Sequence, residues 1–225
     1  MPLTRREFHR ALLATLTAAA LPTAAQATAA PAIQLVEGRD WGPISPPQAG
    51  DSPGKIEVLE FFSYGCGHCR DFNPLITRWE KQLPKDISFR RVPVVFGRAA
   101  WSSLARLFYT LEATGQLALL DQAVFDVIHL RKTDLYTEKA VLNWVASQGV
   151  DSKKFRDQMN SFAVETRMAR GETLARNYKV SGVPLVTVDG RYAVLGNAAK
   201  GLPDLLAIAD GLIAQSRQSR RLARK

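Results

Sequence analysis

Leu59–Pro74 reads LEFFSYGCGHCRDFNP and holds the only two cysteines of a 225-residue chain, Cys66 and Cys69. The stretch belongs to a longer pattern. KIEVLEFFS, residues 55–63, is an apolar, β-rich run bounded by Gly54 and Gly65, and it predicts a central strand. From Cys66 to about Leu83 the pattern turns helical, and Pro74 should kink that helix rather than end it. Cys66 then stands at a helix N-terminus. Residues three apart share a helical face, so the two sulfurs can close a disulfide. Unpaired N–H groups and the helix dipole stabilise an anion at that end. Disulfide exchange proceeds through a thiolate, and this placement lowers its pKa. His68, between the cysteines, can add a donor or a positive charge. A stabilised thiolate favours the reduced pair and makes the disulfide more oxidising.

Two other readings of the pair are weaker. Zinc wants four ligands, and outside the first 27 residues only Cys66, His68, Cys69 and His129 are available among Cys and His. No second C-x-x-C exists, and no metal is expected. A structural staple across a two-residue gap would constrain almost no chain entropy. His129, in DVIHLRK, reads as a packed or surface histidine.

The net charge of +9, with 46% hydrophobic and 23% charged residues, describes a globular chain. Its length suits one large domain or a domain with a sizeable insertion. Residues 1–27 read as a cleaved export signal: a basic start, a short apolar run, and AQA at Ala25–Ala27 as the cleavage site. Thr4–Phe8, TRREF, resembles a twin-arginine signal, although His9 replaces the usual apolar residue, and both export routes stay open. Cleavage would remove Arg5, Arg6, Arg10 and Glu7 and take the net charge to +7. The basic end RQSRRLARK, residues 217–225, could meet nucleic acid or anionic lipid. It is read instead as a frayed, solvated tail, with no nucleic-acid partner.

Residues 28–54 form a Pro- and Gly-rich arm, with a short strand expected near Ile33–Val36. ISFRRVPVVFG, residues 87–97, predicts a second strand, with Pro93 at an edge or bulge. Helical periodicity follows at Trp101, Leu104, Phe108 and Leu111, and again at Leu117, Leu120, Val124 and Val127. Further helices are expected over residues 137–147, after an Asp151 cap, and over 161–179 with a bend at Gly171. Leu185–Val188 and Arg191–Leu195 flank Asp189-Gly190, a strong hairpin signal because a type I′ turn needs two positive φ angles. A last helix should run from Pro203 to about Gln215.

VLEFFSYGCGHC (residues 58–69), a kinked helix, and the distant SGVPLVTVDGRY (residues 181–192) together resemble the DsbA group of thioredoxin-fold thiol:disulfide oxidoreductases. The resemblance spans about Lys55–Gln215. It implies an α/β thioredoxin fold over residues 55–98 and 172–215, interrupted by a helical insertion over 99–171, with residues 216–225 as a tail. It implies an exported, periplasmic, monomeric enzyme whose one redox group is the Cys66–Cys69 disulfide, with no separate cofactor. Its partners would be unfolded exported proteins and a DsbB-type membrane reoxidant. Cys66 would be the attacking cysteine and Cys69 the resolving one. Pro184 would be a cis-proline facing them, with the backbone of Val183 pairing with extended substrate. Glu60, with Arg91 as partner, would form the buried charged pair that moves protons to and from Cys69. Gly67-His68 departs from the Pro-His of the best-known members and resembles the dipeptide of protein disulfide isomerase. A reductase or isomerase of the same fold, or a peptide-binding chaperone-like module, are the rival expectations.

Overall fold

The computed structural model describes residues 34–223. The expected export signal of residues 1–27, the start of the arm and the last two residues lie outside that range. Five strands form one mixed sheet: β1 (Trp41–Pro43), β2 (Ile56–Phe62), β3 (Ile87–Pro93), β4 (Leu185–Val188) and β5 (Tyr192–Val194), in the order β1-β5-β4-β2-β3. The β2–β3 pair is parallel and the other three are antiparallel. Among the described residues, seven helices lie between and after them: α1 (Gly67–Glu80), α2 (Ala99–Ala113), α3 (Leu117–His129), α4 (Glu138–Ser147), α5 (Ser152–Met159), α6 (Phe162–Asn177) and α7 (Leu202–Leu222).

All seven residues of β2 are buried, as a strand covered on both faces should be. Alternation divides its side chains between two cores. Ile56 and Val58 pack with Phe72 and Ile76 of α1 and with Leu212 and Ile213 of α7. Leu59 and Phe61 pack on the other side with Val92 and Tyr178, beside α6. Burying an aliphatic or aromatic side chain of this size contributes about 1.5–3 kcal/mol. Phe62, Tyr64 and Cys69 enter a third core built mainly by α2–α6. The end of β2 and the start of α1 thus sit where the sheet meets the helical insertion.

Most elements lie where the residues place them. Pro93 ends the edge strand β3, and Pro74 lies inside α1 without ending it. Thr137 and Asp151 cap α4 and α5 through their side chains. Asp189 and Gly190 have φ of 57° and 62°, which makes the β4–β5 hairpin.

As one long helix predicts, α6 runs through Gly171, whose missing Cβ makes room for the Tyr109 hydroxyl. Three expectations need correction. The arm's described strand is Trp41–Pro43, and residues 34–36 carry none, while Ile33 lies outside the described residues; Trp41 reaches Tyr192 edge to face at 5.0 Å, so pairing with β5 outweighs the poor strand formers Gly42 and Pro43. β3 stops at Pro93, and Phe96 and Gly97 turn the chain with positive φ. The basic tail is not frayed over residues 216–222. α7 continues to Leu222, Ser216 is fully buried, Arg217 grips Asp86 at 2.7 and 2.9 Å, and Arg220 pairs with Asp189.

Candidate active site

Cys66 is the N-cap of α1, with extended φ and ψ of −101° and 119°. Its sulfur accepts the Cys69 backbone N–H at 3.3 Å, so it occupies the anion-favouring end of the helix. The first turn holds no acidic residue to oppose a negative charge there. Both cysteines are free thiols; Cys66 is partly exposed and Cys69 fully buried. Hydrogen bonding from the Cys69 thiol is the main force lowering the Cys66 pKa from 9.0 to about 6. Burial opposes it, and the Cys69 and His68 amides and the His68 charge assist. The Cys69 thiol moves the other way. Burial is the main cause, followed by its bond to Cys66, the Cys66 charge and, more weakly, Glu60. One sulfur is prepared as nucleophile or leaving group and the other is held neutral.

Val183–Pro184 is a cis peptide, and it faces the pair: the Val183 carbonyl oxygen lies 3.4 Å from Cys66 Sγ. Val183 and Pro184 are both partly exposed beside the sulfur. Gly67 and His68 are exposed at the start of α1, and a Cβ on Gly67 would meet open space. A Cβ on Gly65 would come within 2.5 Å of the Trp101 indole nitrogen, so the glycine before Cys66 allows α2 to close on the loop.

Beneath the pair, Glu60 and Arg91 are register partners on the parallel strands β2 and β3, so they share a face. Glu60 is fully buried, and its Oε2 accepts Arg91 Nε at 2.6 Å. Burial raises the Glu60 pKa, with the Arg91 charge and hydrogen bond opposing it. The guanidinium also lies 4.0 Å from the centre of the Phe62 ring. Every residue named from the sequence therefore lies around the two sulfurs or in the layer below them. Among the described residues no cluster of His, Cys, Asp and Glu is arranged to hold a metal.

The sequence reading missed part of this site. Asp121 of α3 accepts Arg91 Nη1 at 2.8 Å and the Tyr64 hydroxyl at 2.6 Å. The Tyr64 ring meets Phe125 at 4.8 Å, and His129 Nε2 bonds the Tyr64 carbonyl oxygen at 2.8 Å. His129 is thus packed, as read, but it packs on the loop that carries Cys66. Asn73 of α1 reaches Gln122 at 3.0 Å. Asp121 and Phe125 are four residues apart and share a face. An acidic residue next to a buried aromatic was the available signal, but only the fold brings β3 to meet it.

A family model described as DSBA-like thioredoxin domain matches residues 57–201. The chain is similar to a thiol:disulfide interchange protein DsbA of Bordetella parapertussis, at 41% identity over 89% of this chain and 95% of that protein. It is similar to one of Pseudomonas aeruginosa, at 39% identity over 84% and 89% respectively. The crystal structure of Pseudomonas aeruginosa DsbA superposes with a TM-score of 0.79 at 37% identity, covering 83% of this chain and 97% of that one.

Proposed function

Since the chain belongs to the DsbA-like thioredoxin family and is a thiol:disulfide oxidoreductase, we propose that it donates the Cys66–Cys69 disulfide to newly exported proteins. The observation that carries this reading is the asymmetry of the two thiols. The partly exposed Cys66 has its pKa lowered to about 6 at a helix N-terminus, while Cys69 is buried and held neutral.

In the proposed reaction a substrate thiolate attacks Cys66 Sγ. A substrate–Cys66 bond forms, the Cys66–Cys69 bond breaks, and its electron pair leaves on Cys69, which takes up a proton. A second substrate thiolate then attacks the substrate sulfur and expels Cys66 as a thiolate. The substrate dithiol is oxidised and the protein disulfide is reduced. Val183, next to the cis-proline Pro184 and 3.4 Å from the reacting sulfur, supplies backbone for an extended substrate to pair with. Exposed His68, behind Gly67, adds positive charge at the thiolate. Glu60, with no protein partner on Oε1, exchanges the proton with Cys69. Arg91 stays charged through such an exchange, so Glu60 carries it.

Export to the periplasm rests on residues 1–27. Among the described residues no helix is long and apolar enough to cross a membrane. The reduced enzyme is then reoxidised by a DsbB-type membrane partner, and it works as a monomer with no separate cofactor. Oxidation of a reduced, unfolded substrate tests the reading. Cys66→Ala should abolish turnover, and retained turnover would overthrow it.

A further inference from the structure

Arg91 has two carboxylate partners on different elements. Its Nε donates to Glu60 Oε2 at 2.6 Å and its Nη1 to Asp121 Oδ2 at 2.8 Å. The guanidinium and Glu60 side chains are 9% and 0% exposed, while Asp121 is 13% exposed. With both carboxyls ionised, two negative charges surround one positive charge. Water can help the Asp121 end, because Asp121 and Arg91 line a cleft of about 480 Å³. It helps the Glu60 end far less, where Oε1 is buried with no protein partner. The other charged groups at the cleft are Glu80 and Lys81 at the end of α1, Arg90 of β3 and Glu112 of α2. Glu60 is faced by Arg91, by Cys69 and Glu80 of α1, and by Asp121. Asp121 is faced by Arg91 and Tyr64, with Asp126 further along its own helix bonded to Gln122.

We propose that Asp121 is a positioning residue of the thiol exchange: by sharing Arg91 with Glu60 it leaves the buried Glu60–Arg91–Asp121 cluster one negative charge in excess, which the proton passing to or from Cys69 neutralises. Glu60 paired with Arg91 alone would be a balanced ion pair with little tendency to take a proton. The second carboxylate from the helical insertion removes that balance. Arg91 keeps its charge throughout, and the proton resides on Glu60. The direction in which Asp121 pushes the Glu60 carboxyl, upward, agrees with this arrangement. Arg91 holds one Asp121 oxygen at 2.8 Å and the Tyr64 hydroxyl donates to the other at 2.6 Å, so the bond to Arg91 by itself keeps the second charge in place.

The inference rests on Glu60 serving as the proton carrier, and the two can fail separately. In the mature protein, carboxyl carbon NMR would follow the Glu60 titration directly, alongside the pH profile for oxidation of a reduced peptide. Asp121→Asn, nearly isosteric, should move the Glu60 midpoint to lower pH and the acidic limb of the profile with it. Asp121→Glu should restore both. Tyr64→Phe, which removes a hydrogen bond and no charge, should leave the midpoint in place. Without any substitution, the Asp121 carboxyl shift should show a step at the pH where Glu60 titrates. A Glu60 midpoint unmoved in Asp121→Asn, a Tyr64→Phe shift as large, or no such step in the unsubstituted protein would overturn the inference. Glu60→Gln decides the other claim: a profile unchanged by it removes Glu60 as carrier, whatever Asp121 does.

Discussion

At Cys66 one atom receives the Cys69 N–H, lies 3.4 Å from the Val183 carbonyl oxygen, and begins a helix. Its thiol titrates near pH 6 and Cys69 does not titrate in the ordinary range. This asymmetry sets how the disulfide potential depends on pH. Below about 6, reduction takes up two electrons and two protons; above it, two electrons and one proton. The equilibrium with glutathione, corrected for glutathione's own protons, should fall by ~59 mV per pH unit below the break and ~30 mV above it. A single slope from pH 4 to 8 would mean that Cys66 is not the titrating thiol. Gly67 and His68 were legible as the residues that tune this group. Tyr64 was not, because its hydroxyl and carbonyl partners and the ring of Phe125 come from α3, more than fifty residues away.

Among the elements, α7 differs most from its sequence reading. RQSRR looks like a solvated charge run, and a helix was expected to end near Gln215. The arginines at 217 and 220 lie three apart, on one face, and they meet acids from the α1–β3 loop and the β4–β5 turn. No local pattern announces those partners. The Asp151 cap and the Asp189-Gly190 turn, by contrast, were legible because their chemistry is complete within four residues. The two ion pairs should also differ in worth. Asp86 is 49% exposed and Asp189 only 8%. Arg217→Ala should cost below ~0.5 kcal/mol, as exposed pairs do. Arg220→Ala, which strands a buried carboxylate, should cost about 1–2 kcal/mol. Urea midpoints of the two variants check the order, and equal costs would contradict the burial argument.

For the whole molecule, the redox pair and global stability are linked. An unfolded Cys66 thiol keeps its ordinary pKa of about 9, whereas the folded one lies near 6. A depressed folded pKa adds stability that is complete above the unfolded value and disappears as pH falls through the folded one. Only the reduced protein has this contribution. Cys69, raised in the fold, subtracts stability only above its unfolded pKa, so it does not interfere below pH 9. The urea midpoint of the reduced protein should therefore gain on that of the oxidised protein as pH rises from 5 to 8. A difference between the two that does not vary with pH would contradict the linkage. The thioredoxin plan with a helical insertion was legible from two motifs and their order. The charged layer between the two parts was only half legible: Glu60 and Arg91 sit in recognisable strands, and Asp121 does not.

The hold of α3 on Tyr64, through hydroxyl, ring and carbonyl, bears on how such a protein can be taken apart. The five letters GCGHC look portable, a cassette that any thioredoxin-like sheet could accept. Their setting is not portable, because the preceding residue is anchored by Asp121, Phe125 and His129, and these belong to the insertion. A chimera that borrowed the cassette without that helix would inherit the cysteines and lose their footing. In this fold the helical insertion and the redox letters form a single structural unit.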